Sequence, residues 1–203
     1  MNLQTLFGAV ATFMAVVAYG AVHSLLASPR VKAWSRSAFG QWHDRLYRLF
    51  FNITGAITFL PVLAVAWLAP SSQLYQIQPP LLWLTLALQA LAVVALFIGL
   101  AQTGASEFLG LHQLQQGETD QEQFVEDGLY RWVRHPLYTA GLVFIWLIPW
   151  MTSNLLALNL GITLYLSVGS IYEEKKLLRE WGDVYRNYRQ KVPRLIPRPW
   201  KHA

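Results

Sequence analysis

The chain predicts an all-α fold: a polytopic membrane helical bundle of five transmembrane helices, with a C-terminal helical hairpin and an amphipathic cytoplasmic tail helix. Three observations predict it. Of 203 residues, 54% are hydrophobic and only 13% charged, against roughly 25% charged in a soluble domain. The charges are segregated, since residues 1–29, 49–106 and 135–172 contain no Asp, Glu, Lys or Arg, whereas a soluble fold needs polar faces throughout. Inside those blocks, turn formers recur at intervals that suit bilayer crossings.

A crossing takes about 20 apolar residues for about 30 Å of hydrocarbon, so the first block holds one span, near residues 3–27. The second holds two, near 46–69 and 80–103, because Pro70, Ser71, Ser72, Pro79 and Pro80 mark a connection between them. The third is too long for one helix. It breaks at residues 149–154, where Pro149, Ser153 and Asn154 predict a tight hairpin of two short or tilted helices near 136–150 and 154–172.

Lys and Arg set the orientation. Arg30, Lys32, Arg36, Arg45 and Arg48 lie in or beside the first polar loop, Arg131 and Arg134 end the long one, and nine more follow the last span between Lys175 and Lys201. Connections 69–80 and 150–154 carry no charge. The N-terminus is therefore expected outside and the C-terminus in the cytoplasm, which an odd number of spans closes consistently; a bacterial inner membrane is the expected setting. Met1 to Gly8 has no positive n-region, so the first helix is expected to stay in the protein rather than be cleaved as a signal peptide.

The chain has no Cys, which excludes disulfides, thiolate metal sites and a Cys nucleophile. Its net charge of +5 calls for no nucleic acid partner; a positive-inside bias plus a basic tail facing anionic membrane lipid accounts for it. Residues 1–203 read as a single membrane domain. The histidines are scattered, with His43 and His112 expected at the surface and His23 about one turn from the charged loop, so no metal site is expected.

Chemistry using ionisable groups is confined to the charged face, and three segments supply them. Residues 28–45 mix bases with Trp34 and Trp42, the composition of an interfacial anchor. Residues 104–134 are acidic through Glu107, Glu118, Asp120, Glu122, Glu126 and Asp127; the stretch from Gln123 to Tyr130 flanks an Asp-Gly turn with apolar residues that would pack back on the bundle. Arg134 and His135 precede Pro136, which favours a first helical turn there, with backbone N–H groups that suit an anionic ligand group. The third segment begins at Glu173 and Glu174; beyond them Leu177, Trp181, Val184 and Tyr188 recur at helical spacing beside Leu178 and Tyr185, an amphipathic interfacial helix ended by Pro193.

Together, Gly128-Leu129-Tyr130, Arg134-His135-Pro136-Leu137-Tyr138, Glu173-Glu174, Trp181-Gly182-Asp183-Val184-Tyr185 and Val192-Pro193-Arg194 resemble the integral-membrane methyltransferase family of isoprenylcysteine carboxyl methyltransferase and the phospholipid methyltransferases. The resemblance covers about residues 104–198, a cofactor-binding core within the domain. It implies S-adenosylmethionine as cofactor, with backbone contacts from Gln123, Phe124 and Val125, a pocket lined by Tyr130, His135, Pro136, Leu137 and Tyr138, and Glu173, with Glu174 beside it, as the acidic contact. These residue types suit that molecule. Aromatic faces suit a sulfonium cation, a carboxylate suits an ammonium or ribose hydroxyls, and Arg134, His135 or a helix N-terminus suits a carboxylate.

In the isoprenylcysteine branch an Arg four residues before the acidic contact pairs with the substrate carboxylate; here that position is Gly169. A prenylcysteine acceptor is therefore disfavoured, and a small or lipophilic acceptor (thiol, carboxylate or lipid amine) reaching the site from the bilayer is expected. The N-terminal half, with the run from His23 to Arg30 and that from Phe108 to Leu111, looks more like NnrU-like proteins and bacterial methanethiol S-methyltransferases. Two rival readings stay open: a nicotinamide-dependent membrane reductase of related helical core, and a non-catalytic or haem-binding NnrU-like protein in which His23 is the informative residue.

Overall fold

The computed structural model describes residues 2–116 and 124–198, which fall into two compact units. Among the described residues, the first comprises 2–74, 104–116 and 151–162, and the second 75–103, 124–150 and 163–198. The elements in chain order are α1 (Leu3–Ala27), α2 (Pro29–Phe39), α3 (Gln41–Leu68), β1 (Gln73–Gln76), α4 (Leu81–Gln102), α5 (Ala105–Leu109), α6 (Leu111–Gln116), a 3₁₀ turn (Gly128–Arg131), α7 (Pro136–Trp146), β2 (Trp150–Thr152) and α8 (Ser153–Lys191).

Among the described residues, α1, α3, α4 and α8 are long and apolar enough to cross a bilayer. The fifth expected span is α7, whose 11 residues reach only about 16 Å at 1.5 Å per residue; it is the short arm of the expected C-terminal hairpin. Large apolar side chains face outward, with Leu3 at 83%, Trp67 at 71% and Phe97 at 68% exposure, while Thr12, Asn154, Asn159 and Ser170 are fully buried. That inversion suits lipid as solvent, where small and polar residues knit helices together.

In the first unit, α1 packs on α3. Ser28 ends α1 and caps α2, its hydroxyl accepting from the Val31 N–H at 3.4 Å. Loop 28–45 is thus helical over most of its length, and α3 starts at Gln41, earlier than the apolar pattern alone marks. Asn154 Nδ2 donates to the carbonyls of Ala66 at 3.3 Å and Ala69 at 3.0 Å, satisfying the last turn of α3. His43 departs from its expected surface position. It is 6% exposed, with Nδ1 2.9 Å from the Ser35 hydroxyl, because α2 folds back over the start of α3.

The two charge-free connections run beside one another. Ser153 N–H donates to the Ser72 carbonyl at 2.9 Å in the first unit, and Ile77 N–H to the Pro149 carbonyl at 2.7 Å in the second. Expected as turns, they contain the short strands β1 and β2, since backbone groups at a bilayer edge gain by pairing with each other.

In the second unit, α4 packs on α7. Gln89 on α4 donates to the Phe144 carbonyl of α7 at 2.9 Å, a polar tie between helices. At its other end α4 presents Gln102, whose Oε1 accepts from the Leu129 N–H at 3.2 Å. This contact holds the 3₁₀ turn that carries Tyr130.

Candidate functional site

The site is built in the second unit from the start of α7, the 3₁₀ turn before it and the late part of α8. Pro136 at the first helical position fixes where α7 begins, since it lacks an N–H and its φ suits a helix. His135, just before it, lies outside the helical region at φ −126° and ψ 68°, since the proline ring disfavours helical backbone in the residue before it. This turn of backbone aims the His135 ring at α8.

There the ring meets both adjacent carboxylates. Nδ1 lies 3.4 Å from Glu173 Oε2, and Nε2 lies 3.4 Å from Glu174 Oε1. Whichever nitrogen carries the proton has an acceptor. Tyr138 stacks on His135 with centroids 5.3 Å apart and 9° between planes, one turn along α7.

The two glutamates have different surroundings. Glu174 is 9% exposed and takes Arg134 Nη2 at 2.7 Å and Nε at 2.8 Å on one oxygen. Glu173 keeps 45% exposure, so it is the carboxylate of the pair that a ligand can reach. Arg134, expected as a partner for an anionic ligand, has its guanidinium engaged by protein: Nη1 donates to the carbonyls of Arg189 at 2.8 Å and Val192 at 2.5 Å.

Two backbone donors just before this helix are taken by the tail. Arg134 N–H donates to the Pro193 carbonyl at 2.9 Å and His135 N–H to that of Arg194 at 3.2 Å, while the Thr139 hydroxyl donates to Leu195 O at 2.7 Å. The tail after α8 folds over the N-terminus of α7. Nothing local in the run from Arg134 to Tyr138 announces a partner nearly 60 residues away.

An aromatic group continues the site along α8. Phe124 contacts Trp181 at 5.5 Å, Tyr185 at 6.0 Å and Tyr188 at 5.3 Å between centroids. The Tyr188 hydroxyl donates to the Tyr130 carbonyl at 2.7 Å. Burial, with the Glu173 charge adding to it, pushes the Tyr130 phenol up to about 12. The buried face of this stretch differs from simple helical periodicity: Tyr185 is 1% and Tyr188 6% exposed, but Val184 is 55% exposed. Gly182 at φ 52° breaks the helix and resets the phase.

Of the sequence-expected residues, Phe124, Tyr130, Arg134, His135, Tyr138, Glu173 and Glu174 thus share one region. Val125 adjoins Phe124 in the chain, Pro136 is buried, and Leu137 packs toward α4, where a Cβ on Gly99 would lie 3.0 Å from Leu137 Cδ2. Gln123 lies outside the described residues. Trp181 and Tyr185 belonged to a motif of the resemblance without a role in the site, and Tyr188 was legible only as part of an amphipathic face; their contact with Phe124 adds them to the site. A Cβ at Gly169 would meet nothing within 4 Å. His23 is elsewhere, in the first unit, with its ring 4.3 Å from Phe51 and 5.4 Å from Tyr19.

The model of the family described as NnrU protein matches residues 11–197. Methanethiol S-methyltransferase 1 of Bradyrhizobium diazoefficiens is 29% identical over 208 residues, covering 100% of this chain and 70% of the relative. Methanethiol S-methyltransferase of Crocosphaera subtropica is 27% identical over 202 residues, covering 86% and 69%. The corresponding protein of Mycobacterium tuberculosis is 44% identical over 75 residues, 37% of this chain and 31% of that one. No solved structure matches the chain.

Proposed function

This chain belongs to the NnrU protein family, and we propose that it is a membrane methyltransferase that moves a methyl group from S-adenosylmethionine to the sulfur of a small thiol such as methanethiol. The observation that carries the reading is the meeting of two distant segments, Tyr130 to Tyr138 and Glu173 to Glu174, around one partly exposed carboxylate. Relatives that match 100% and 86% of the chain bear that activity in their names, which supports the choice of acceptor.

The residues fit the donor. When bound, S-adenosylmethionine supplies an electrophilic methyl carbon on a sulfonium, together with an ammonium, a carboxylate and an adenosine. Glu173 offers a carboxylate to its cationic or hydroxyl groups, Tyr130 and Tyr138 offer aromatic faces, and the backbone at Phe124 and Val125 offers polar contacts. His135, stacked on Tyr138, holds Glu173 in place while leaving its side chain 45% exposed.

In-line displacement at carbon needs chiefly that the acceptor be held opposite the leaving sulfur, so positioning supplies most of what the protein contributes. Bound there, S-adenosylmethionine would supply the methyl group and its own sulfur would keep the electron pair of the broken sulfonium bond, while the thiol would give up its proton, and Glu173, Tyr130 and Tyr138 would hold the donor in line. A small uncharged thiol needs no cation to pair with, which agrees with Gly169. The charged end of α7 and α8, expected in the cytoplasm from the Lys and Arg distribution, is where the reaction would occur.

Calorimetry of the purified protein with S-adenosylhomocysteine tests the donor, and headspace detection of dimethyl sulfide from methanethiol tests the acceptor. Binding that is lost in Glu173→Gln, with dimethyl sulfide formed only by the intact protein, is expected. Absence of binding would overturn the donor; binding without dimethyl sulfide would overturn only the thiol.

A further inference from the structure

Two tyrosines one turn apart on α8 differ in a way their surroundings do not explain. Both contact Phe124, and their rings lie 5.9 Å from one another. Tyr188 uses its hydroxyl, donating to the Tyr130 carbonyl at 2.7 Å. Tyr185 is more deeply buried, at 1% exposure, and its hydroxyl has no hydrogen-bond partner.

A buried hydroxyl without a partner costs free energy that phenylalanine, of nearly the same shape, would not. Such a group is explained by a second state in which it is paired. Its position says which state. The Tyr185 ring contacts Phe124, one of the residues expected to hold the methyl donor, at 6.0 Å between centroids, on the same helix that carries Glu173 and Glu174. Arg134 directs Nε and one Nη2 hydrogen to Glu174 and both Nη1 hydrogens to the Arg189 and Val192 carbonyls rather than to this hydroxyl.

We infer that the Tyr185 hydroxyl is a ligand-binding group that donates to a polar oxygen or nitrogen of the methyl donor, the Phe124 ring moving aside to admit it. This rests on the methyl-donor reading of the site. It adds a residue that contacts ligand through its side chain at a place where periodicity suggested only a membrane-facing tyrosine.

The test compares wild type, Tyr185→Phe and Tyr188→Phe by thermal unfolding without ligand and by calorimetry with S-adenosylhomocysteine. Tyr185→Phe is expected to melt at or above the wild-type temperature and to bind about tenfold more weakly, whereas Tyr188→Phe melts lower because it loses a bond already made. Affinity of Tyr185→Phe within twofold of wild type overturns the assignment. So does a melting loss as large as that of Tyr188→Phe, which would mean the hydroxyl is already satisfied by a buried water. Wild-type protein that does not bind overturns the donor reading itself and this assignment with it.

Discussion

Arg134 and Glu174, 40 residues apart in sequence, meet through two nitrogens on one carboxylate oxygen at 2.7 and 2.8 Å, with side chains 10% and 9% exposed. The third nitrogen of the guanidinium holds the carbonyls of Arg189 and Val192. The pair therefore ties the start of α7, the late part of α8 and the tail after it into one body. It frames the candidate site, and Glu173 next to it keeps an exposed side chain.

Arg134→Lys should be strongly destabilising. An ammonium on a flexible stem cannot serve Glu174 and two carbonyls at once, and breaking a buried pair costs roughly 3–5 kcal/mol. Thermal unfolding in detergent should show a large fall in midpoint. A variant that melts within a degree or two of wild type would contradict the clamp.

Glu173→Gln should do the opposite. Its carboxylate is 45% exposed, so stability should change little, while affinity for S-adenosylhomocysteine should fall at least tenfold, about 1.4 kcal/mol. Glu174→Gln should instead lower the unfolding midpoint. Equal stability losses in these neighbours would erase the proposed division of labour.

Gly128→Ala should cost more than Gly182→Ala. Both glycines have positive φ, at 62° and 52°, worth about 1–2 kcal/mol against any other residue. A Cβ at Gly128 would also fall 1.6 Å from Gln102 Nε2, whereas one at Gly182 meets nothing within 4 Å. Gly128→Ala should therefore displace the turn carrying Tyr130 and weaken donor binding, and Gly182→Ala should show only the backbone cost. The ranking is read from paired melting curves.

Gly169→Leu should leave S-adenosylhomocysteine affinity near wild type but cut the kcat/KM for methanethiol at least tenfold. The resemblance places the acceptor beside this residue, and nothing within 4 Å would resist the added Cβ. Unchanged turnover would remove Gly169 from the acceptor path.

Stability should fall in strong alkali. With its folded pKa raised to about 12 from 10, Tyr130 stays protonated in the folded chain where the unfolded chain has lost the proton. Its contribution is complete below pH about 10 and is lost as pH rises toward about 12. Tyr130→Phe should flatten this part of a melting profile taken between pH 9 and 11.

Much of the fold was legible because lipid imposes a one-dimensional rule: apolar runs of about 20 residues, broken by turn formers, mark the crossings. The start of α7 at Pro136 and the turn at Asp127 and Gly128 were equally local, set by one ring and one missing Cβ. The resemblance brought His135 and Glu173 together as types. It did not say that Arg134 spends its donors inside the protein, because the acceptors are carbonyls at Arg189 and Val192 that carry no signature in sequence. Nor could periodicity place Tyr185 inward and Val184 outward, since Gly182 shifts the helix phase between Glu174 and Tyr185.

The sequence by itself determined where the chain is greasy, which face bears the charge and which residue types a methyl donor would want, because burial in lipid and local backbone preferences act over a few neighbouring residues. Only the tertiary structure decided which of two adjacent carboxylates is buried against arginine and which stays open, and which of two neighbouring tyrosines keeps a hydroxyl in reserve. Those outcomes depend on groups 40 to 60 residues apart competing for the same few hydrogen bonds, a competition that distance along the chain does not reveal.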